Sequence, residues 1–381
     1  MKVTARALNR ATLARQLLLE RQPIDVAEAV RRVVALQAQQ PASPYLALWN
    51  RLTGFDAAAL DAAYAGRRVV RSTLMRITLH VVHAEDYGPF REAMEPTLRG
   101  SRLGDPRFGE SGLTVADAEA LLPDLLKFAG SPRTAAEAMA WLGERLGSPV
   151  QPPAWQMLRQ YAPLLHSPAG RPWSFSARLS YEAAAGVAVP AAPEVSARTL
   201  GILVRRYLAG FGPASVADIA RFALVQRTRV KAALVTLDGE VEVLEGPDGR
   251  VLYDLPGAPR PDEETPAPPR LMAMWDSVLL AHDDRDRHIP PAYRPHVIRK
   301  NGDVLPTLLV DGRVAGVWRA VEGGIEATAF HPLPGEVWEA LAGEARSLLA
   351  LLGDREPEVY RRYGHWWGNM PGGEVRVLPA G

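Results

Sequence analysis

The 381-residue chain contains no cysteine. That excludes disulfides, a thiolate nucleophile and a cysteine-ligated metal, and it fits a reducing cytoplasm. No apolar run is long enough to cross a bilayer, so no membrane partner is expected. The first residues are polar and basic and lack the apolar core of a signal peptide. Several chemical motifs are missing as well. There is no Walker A loop and no dinucleotide-binding glycine pattern. There is no H-E-x-x-H. His80 and His83 of "LHVVH" lie three apart, which sets them on opposite sides of a strand and makes them a poor metal pair. No metal and no cofactor are therefore expected. "GESG" at 109–112 is not a nucleophile elbow, and the Asp283/Asp284 pair sits in a mixed-charge loop that reads as solvated. Net charge is lacking too: 44 Lys and Arg stand against 43 Asp and Glu, a formal +1, which taken alone argues against nucleic-acid binding.

What is present argues differently. Hydrophobic content of 47% and charged content of 23% are ordinary for a soluble globular protein, and the length suits two or three domains. The charge is segregated. From Met1 to Gly104 there are 15 basic residues against 9 acids, and from Arg198 to Lys231 seven against one, Asp218. The acids gather in Asp238–Glu264 and Glu336–Glu358. A nearly neutral protein organised this way can carry a basic face.

The clearest structural unit runs from Glu194 to Leu255. "EVSARTLGILVRRYLAGFGP" has apolar residues at helical spacing and ends on Gly210, Gly212 and Pro213. "ASVADIARFAL" follows with Ser215 as its N-cap, then "QRTRVKAALVTL" as a third helix. "EVEVLEGPDGRVLYDLP" reads as a hairpin. Three helices and a hairpin make a winged helix. The same order recurs twice upstream. Helices are expected over Arg6–Leu19, Asp25–Leu36, Pro44–Leu52 and Asp56–Ala65, followed by a strand pair in "VVRSTLMRITLHVVH". A second set covers Thr114–Phe128, Thr134–Leu146 and Pro153–Tyr161, with a hairpin in "LLHSPAGRPWSFS" turning at Pro-Ala-Gly. Pro256–Pro269 reads as a linker. Beyond it, "LMAMWDSVLLAHDDRDRHIPP" reads as a strand entering a polar loop. Short strands with Asn-Gly, Asp-Gly and Gly-Gly turns, and a helix over Gly335–Leu352, then suggest a β-rich, partly closed barrel. The expected class is α+β: three tandem winged helices at 1–105, 106–190 and 191–256, and a C-terminal β-rich domain with a terminal helix at 257–381. Trp366–Trp367 read as an anchor for the C-terminal tail.

The helix over Asp25–Leu36 runs into Gln37, Gln39, Gln40 and Pro41. Two residues apart on a helix point about 200° away from each other, but in an extended segment they share a face. Pro41 biases Gln40 away from helix, so the helix should end near Leu36 and let Gln37 and Gln39 converge. From the residues alone, satisfying loose backbone groups at a helix end is the favoured role for such amides.

"LQAQQPASPYLALWNRL", "RSTLMRITLHVV" and "VLPTLLVDGRVAGVWR" together resemble the AlkZ/YcaQ-type winged-helix DNA glycosylases, and the resemblance covers nearly the whole chain. It implies three winged helices and a β-rich domain around a C-shaped basic cleft. It also implies a catalytic Gln-x-Gln motif, matched by Gln37 and Gln39. The YcaQ-like branch carries Gln-x-Asp, so this chain resembles the AlkZ branch. An amide is no general base. It suits a purine already made cationic by alkylation at N7 or N3, which leaves readily and needs electrostatic stabilisation of the sugar and a held water. The partner implied is double-stranded DNA with an alkylated purine. The resemblance further implies that bulky adducts or interstrand crosslinks can be processed without deep extrusion; near Gln37 only Tyr45 and Trp49 could line a base pocket. Three different winged helices in one chain make an asymmetric reader, which favours a damage enzyme over a regulator that reads a palindrome as a dimer; a monomer in the cytoplasm, associated with the nucleoid, is expected. The alternatives are a non-catalytic winged-helix regulator and an inactive scaffold. Expected DNA contacts are Arg71 and Arg76, then Arg227, Arg229 and Lys231, and a C-terminal hairpin. That hairpin is either "VIRKNGDV", with Arg299 and Lys300 beside a type I′ Asn301-Gly302 turn, or the Asp311-Gly312 turn with Arg313. The first is favoured, because Asp311 would be repelled by a groove of negative potential.

Overall fold

The computed structural model describes residues 2–175, 179–187 and 189–379. The N-terminal part contains α1 (Ala5–Arg15), α2 (Val26–Arg32), α3 (Ser43–Trp49) and α4 (Ala57–Ala65). β1 (Leu36–Gln37) lies between α2 and α3, and β2 (Val69–Thr73) and β3 (Leu79–His83) follow α4, forming one sheet in the order β1-β3-β2. The strand pair falls where the β-branched alternation predicts it. Both α1 and α2 end four residues before the periodicity does. A helix absent from the sequence reading follows, α5 (Ala84–Leu98), with Pro89 and Pro96 inside it. Proline interrupts the backbone ladder, which is why the segment does not read as helix. It is held instead by packing: Phe90, Ala93, Met94 and Leu98 are fully buried.

The middle of the chain holds α6 (Pro106–Gly109), α7 (Val115–Phe128), α8 (Ala135–Leu146) and α9 (Pro152–Tyr161), with a sheet ordered β4 (Arg133–Thr134), β6 (Ser180–Ala183), β5 (Leu164–Ser167). The expected Pro-Ala-Gly hairpin is instead a long connection, since Ser167 pairs with Ser180; Ser176, the last residue of the expected second strand, lies outside the described residues. Then come α10 (Pro193–Phe211), α11 (Val216–Ala223) and α12 (Arg227–Thr236), followed by the hairpin β7 (Glu242–Glu245) and β8 (Val251–Asp254). Thr114/Asp117, Thr134/Glu137 and Ser215/Asp218 form reciprocal capping boxes that start α7, α8 and α11.

The C-terminal part is β9 (Arg270–Leu271), α13 (Arg294–Val297), β10 (Thr307–Val310), β11 (Arg313–Val321), β12 (Gly324–Ala329), α14 (Gly335–Gly353) and β13 (Glu374–Pro379). Its five strands run β13-β12-β11-β10-β9. This sheet is open and does not close into the expected barrel. The reason is α14, which packs on β9, β12 and β13 and so spans both edges. Segment 256–269 is not a loose linker: α1 anchors it through Arg15 Nε to the Pro259 carbonyl at 3.1 Å and Arg10 Nε to the Thr265 carbonyl at 2.7 Å. Among the described residues, no helix is long and apolar enough to cross a membrane.

Candidate active site and nucleic-acid interface

The Gln-x-Gln segment is extended because α2 stops at Arg32. Val34 then takes φ +72°, a conformation β-branched residues rarely adopt. Packing imposes it. Val34 lies against Gly210 of α10, where a Cβ would fall 2.5 Å from Val34 Cγ2. The buried Gln16 donates from Nε2 to the carbonyls of Gly210 at 2.9 Å and Val33 at 3.3 Å, and Ser277 Oγ donates to the Ala35 carbonyl at 2.8 Å. The chain then joins β3, with Gln37 opposite His80.

Ala38 turns inward and is fully buried. Its N–H donates to the Leu79 carbonyl at 2.7 Å, and its carbonyl accepts from Arg71 Nη2 at 2.9 Å and Nε at 3.3 Å. The two glutamines meet the turn and strand that follow β2. Gln37, only 5% exposed, accepts at Oε1 from Arg76 Nη2 at 2.6 Å. Gln39 is exposed and accepts at Oε1 from the Leu79 N–H at 2.9 Å. Rotating either amide would set NH2 against a donor, so its partner fixes its orientation. Each oxygen keeps one further lone pair.

Arg76 sits in the turn Met75–Ile77, where it and Ile77 are both left-handed, at φ +55° and +56°. Two such non-glycine residues in a row cost about 1–3 kcal/mol each and persist only where the surroundings impose them. Arg76 Nη2 also lies 3.3 Å from His80 Nε2, while His80 Nδ1 lies 3.1 Å from the Thr78 carbonyl. The proton therefore belongs on Nδ1 and Nε2 accepts. Burial, with the Arg76 charge beside it, holds His80 well below the usual histidine range. Burial and the nearby Arg285 and Arg221 push Arg76 itself down to about 9.

An exposed amide thus stands beside a buried one, the buried one oriented by a donor on a strained turn and the exposed one by the first N–H of β3, and each can still accept a hydrogen bond. The chain matches the family described as DNA glycosylase AlkZ-like over residues 30–351. It belongs to the AlkZ-like DNA glycosylase family. It is 27% identical over 353 residues to an interstrand DNA cross-link repair glycosylase of Streptomyces sahachiroi, covering 87% of this chain and 91% of that protein. The solved Streptomyces sahachiroi DNA glycosylase AlkZ shares the fold, with a TM-score of 0.77 over 94% of this chain and 99% of that one at 21% identity.

In this AlkZ-like chain the expected phosphate contacts divide. Arg71 is buried on the Ala38 carbonyl, with Nη1 3.2 Å from His166 Nδ1 and the guanidinium over Phe175; it clamps the motif and offers nothing to a phosphate. Arg76 gives Nη2 to Gln37, while its Nη1 is buried without a hydrogen-bond partner. Arg229 is largely tied to α5 and α10, through the Ala93 carbonyl at 3.2 Å and Ser196 Oγ at 2.9 Å. Arg227 and Lys231 are exposed, as are Lys300 and Arg313. Arg299 stacks on Trp366 and donates to its carbonyl at 3.4 Å, which locks the segment containing Trp366–Trp367 to the C-terminal domain. Tyr45 and Trp49 are buried core residues.

Asp311-Gly312 is not a free tip, and the Asn301-Gly302 turn, where Lys300, Asn301 and Gly302 are exposed, is not of the type the sequence suggests. Asp311-Gly312 is the two-residue left-handed turn, at φ +47° and +76°, but it docks on α1: Asp311 pairs with Arg10 and Arg6, and Asn9 Nδ2 donates to the Gly312 carbonyl at 2.7 Å. Around Asn301 only Gly302 has positive φ. The Gly302 N–H bonds the Arg299 carbonyl at 2.9 Å and the Arg299 N–H the Asp303 carbonyl at 2.8 Å. That is a type I turn followed by a left-handed glycine, not type I′. The loop read as solvated is half core: Asp283 and Asp284 are exposed, but His282, Arg285 and His288 are buried. Sequence reasoning overlooks Arg221 and Arg285. Arg221 belongs to the basic stretch on α11, but nothing local marks Arg285.

Proposed function

We propose that this protein hydrolyses the N-glycosidic bond of cationic N7- or N3-alkylated purines in double-stranded DNA, including bulky adducts and interstrand crosslinks, with Gln37 and Gln39 at the reacting sugar. The observation that carries this reading is the pair of amides. They stand two residues apart on an extended strand end, each oxygen oriented by one donor and left with one lone pair, and neither has a carboxylate partner among the described residues. Such groups cannot deprotonate water, but they can hold it by accepting its hydrogens and turn negative dipole ends toward an oxocarbenium-like sugar. The C1′–N9 bond breaks, its electron pair neutralises the alkylated ring, water adds to C1′, and the surplus proton passes to solvent. The helix-and-hairpin units read as winged helices gripping the backbone, with Arg227, Lys231, Lys300 and Arg313 as exposed cations on the DNA face of a monomer.

A lyase step needs an amine to form a Schiff base. The chain has only four lysines, Lys2, Lys127, Lys231 and Lys300, and none lies in the glutamine segment, which supports a glycosylase without lyase activity. The relative's name places that protein in interstrand cross-link repair, and we extend that substrate class to this chain. The test is single-turnover incubation with a duplex containing one N7-methylguanine and with a duplex containing one N7–N7 interstrand crosslink. Release of free base, leaving an abasic strand that breaks only on alkali treatment and is not trapped by borohydride, is the expected result. Binding without release from either duplex would reject the enzyme and favour a DNA-binding regulator.

A further inference from the structure

Beside Gln37 lies a set of guanidiniums that the glutamine chemistry does not use. Arg285, in the 3₁₀ turn Arg285–Arg287, is only 8% exposed. Its Nε and Nη1 are fully buried without a hydrogen-bond partner, and it forms no ion pair among the described residues. Other buried arginines of this chain each have an acceptor: Arg15, Arg51 and Arg10 pair with Asp254, Asp276 and Asp311, and Arg71 and Arg91 bond the carbonyls of Ala38 and Tyr161. Arg285 instead feels the positive charges of Arg221 and Arg294, and it adds its own to the field at Arg76. Arg76 carries a buried unpartnered Nη1 and sits over the ring of Phe222, next to Arg221 on α11. Arg227 joins the same rim. The one acid acting on this group among the described residues is Asp283, 4.0 Å from Arg221 and 3.8 Å from Arg227, and exposed.

Burying a guanidinium without an acceptor is costly, and gathering others around it adds repulsion. A phosphodiester removes both costs, because it brings negative charge and several acceptor oxygens in a geometry that a guanidinium fork matches. Gln37 makes the location meaningful. Its oxygen is bonded to Arg76, so until that cluster is neutralised a cationic base and a developing oxocarbenium face a positive field.

We propose that Arg285, with Arg76 and Arg221 at its rim, holds a phosphodiester of the DNA strand next to the lesion nucleotide, and that this phosphate neutralises the field at Gln37 so that a cationic lesion can be accommodated there. The proposal deepens the glycosylase reading and rests on it for the identity of the lesion. It makes Arg285 a positioning residue that binds backbone, not a catalytic one.

The test scans single methylphosphonates, which remove one phosphate charge, through the positions flanking a 2′-fluorinated N7-methylguanine that cannot be excised. Affinities are measured for the wild type, R285Q, R285K and R221Q. One position is expected to weaken wild-type binding about tenfold or more and to have less than a twofold effect in R285Q. The log K versus log salt slope should flatten by about 0.9 in R285Q. Without DNA, R285Q should melt no lower than wild type, because the change removes an unmatched buried charge. If every position weakens both proteins equally, or R285Q melts lower with its salt slope intact, Arg285 is structural and the proposal is overturned. If R285Q fails to fold, the methylphosphonate scan in R221Q and R285K decides: no position coupled to either residue overturns it as well. Base release from the ordinary N7-methylguanine duplex is read in parallel. Release with no coupled phosphate rejects this site and keeps the glycosylase. A coupled phosphate with no release does the reverse.

Discussion

Replacing Gln37 by alanine is expected to destabilise the protein, whereas replacing Gln39 is not, although both changes should abolish most base excision. The difference lies in the donors. Gln37 accepts from a guanidinium at 2.6 Å whose Nη1 is buried and unpartnered and whose Nη2 otherwise has only His80 at 3.3 Å. Removing that acceptor leaves a poorly solvated charge and costs about 1.5–3 kcal/mol. For a chain of 381 residues the entropy of unfolding is ~0.8 kcal/mol per kelvin, so the melting temperature should fall about 2–4 °C. Gln39 is exposed, and its partner is a single backbone N–H that water can reach, so Q39A should stay within about 0.5 kcal/mol, below 1 °C. The double variant Q37A/R76M removes donor and acceptor together and should recover most of the loss. Each single alanine should slow single-turnover excision by about 100- to 1,000-fold, by analogy with losing one preorganised polar group at a transition state, while DNA affinity, which depends on charge, stays within twofold. Calorimetry, single-turnover base release and anisotropy titration check the three parts. Equal melting shifts for Q37A and Q39A, or no recovery in Q37A/R76M, would refute the hydrogen-bond argument; normal excision by Q37A/Q39A would refute the catalytic one.

Other expectations follow from the same placements. Neutralising Arg227 and Lys231, both exposed, should flatten the salt slope of DNA binding by about 0.9 for each phosphate that the wild-type side chain neutralises, whereas R229Q should mainly lower the melting temperature, because Arg229 bonds α5 and α10. D311A should cost about 1–3 kcal/mol by leaving the fully buried Arg10 without its carboxylate, and R10M/D311A should regain much of it in denaturant titrations. His80, His166 and His288 are held well below 6.5 and His282 is lowered to about 3, burial being the main cause in each. The folded state thus binds fewer protons than the unfolded one in acid. Stability is complete above the unfolded value near 6.5 and should fall below it by about 1.4 kcal/mol per pH unit for each histidine, a steep loss readable by chemical denaturation from pH 7 to 5.

Much of the scaffold is legible in the sequence because its signals are local. Ser215 caps α11 from three residues away, the β2–β3 pair shows its β-branched alternation, and the Gly-Pro-Asp-Gly turn separates β7 from β8. The misreadings share one cause, which is partners far away in sequence. Arg71 looks like a surface cation until the Ala38 carbonyl and His166 are brought to it, 33 and 95 residues away. The early end of α2 depends on Gly210 and Gln16. Helix α5 carries two prolines that local rules reject, and only burial against α10 explains it. Arg285 follows two acids in a charged run, so composition assigns it to solvent; burial and the missing partner appear only in three dimensions. The glutamine pair is visible as a pattern, but its asymmetry is not.

That asymmetry decides where an acid could serve. A carboxylate at position 37 would lie against Arg76 and be tied up by it; the guanidinium would hold its pKa below the ordinary carboxylate range, so it could neither take a proton from water near neutrality nor titrate in a range where the fold survives. At position 39 the one fixed donor is the Leu79 N–H and the side chain is exposed. An acid there keeps a pKa near 4 and a free oxygen for water. Wild-type excision of a permanently cationic N7-methylguanine should therefore show no carboxylate step with pH, because an amide does not titrate. Q39D should gain one, its rate falling as pH drops through about 4 and its carboxylate becomes protonated. Q37E should gain none within the window where it remains folded. Single-turnover rates from pH 4 to 8, each paired with a circular-dichroism check at the same temperature, measure the difference. An acid limb in Q37E and not in Q39D would invert the assignment of the two positions and remove Arg76 as the reason for it.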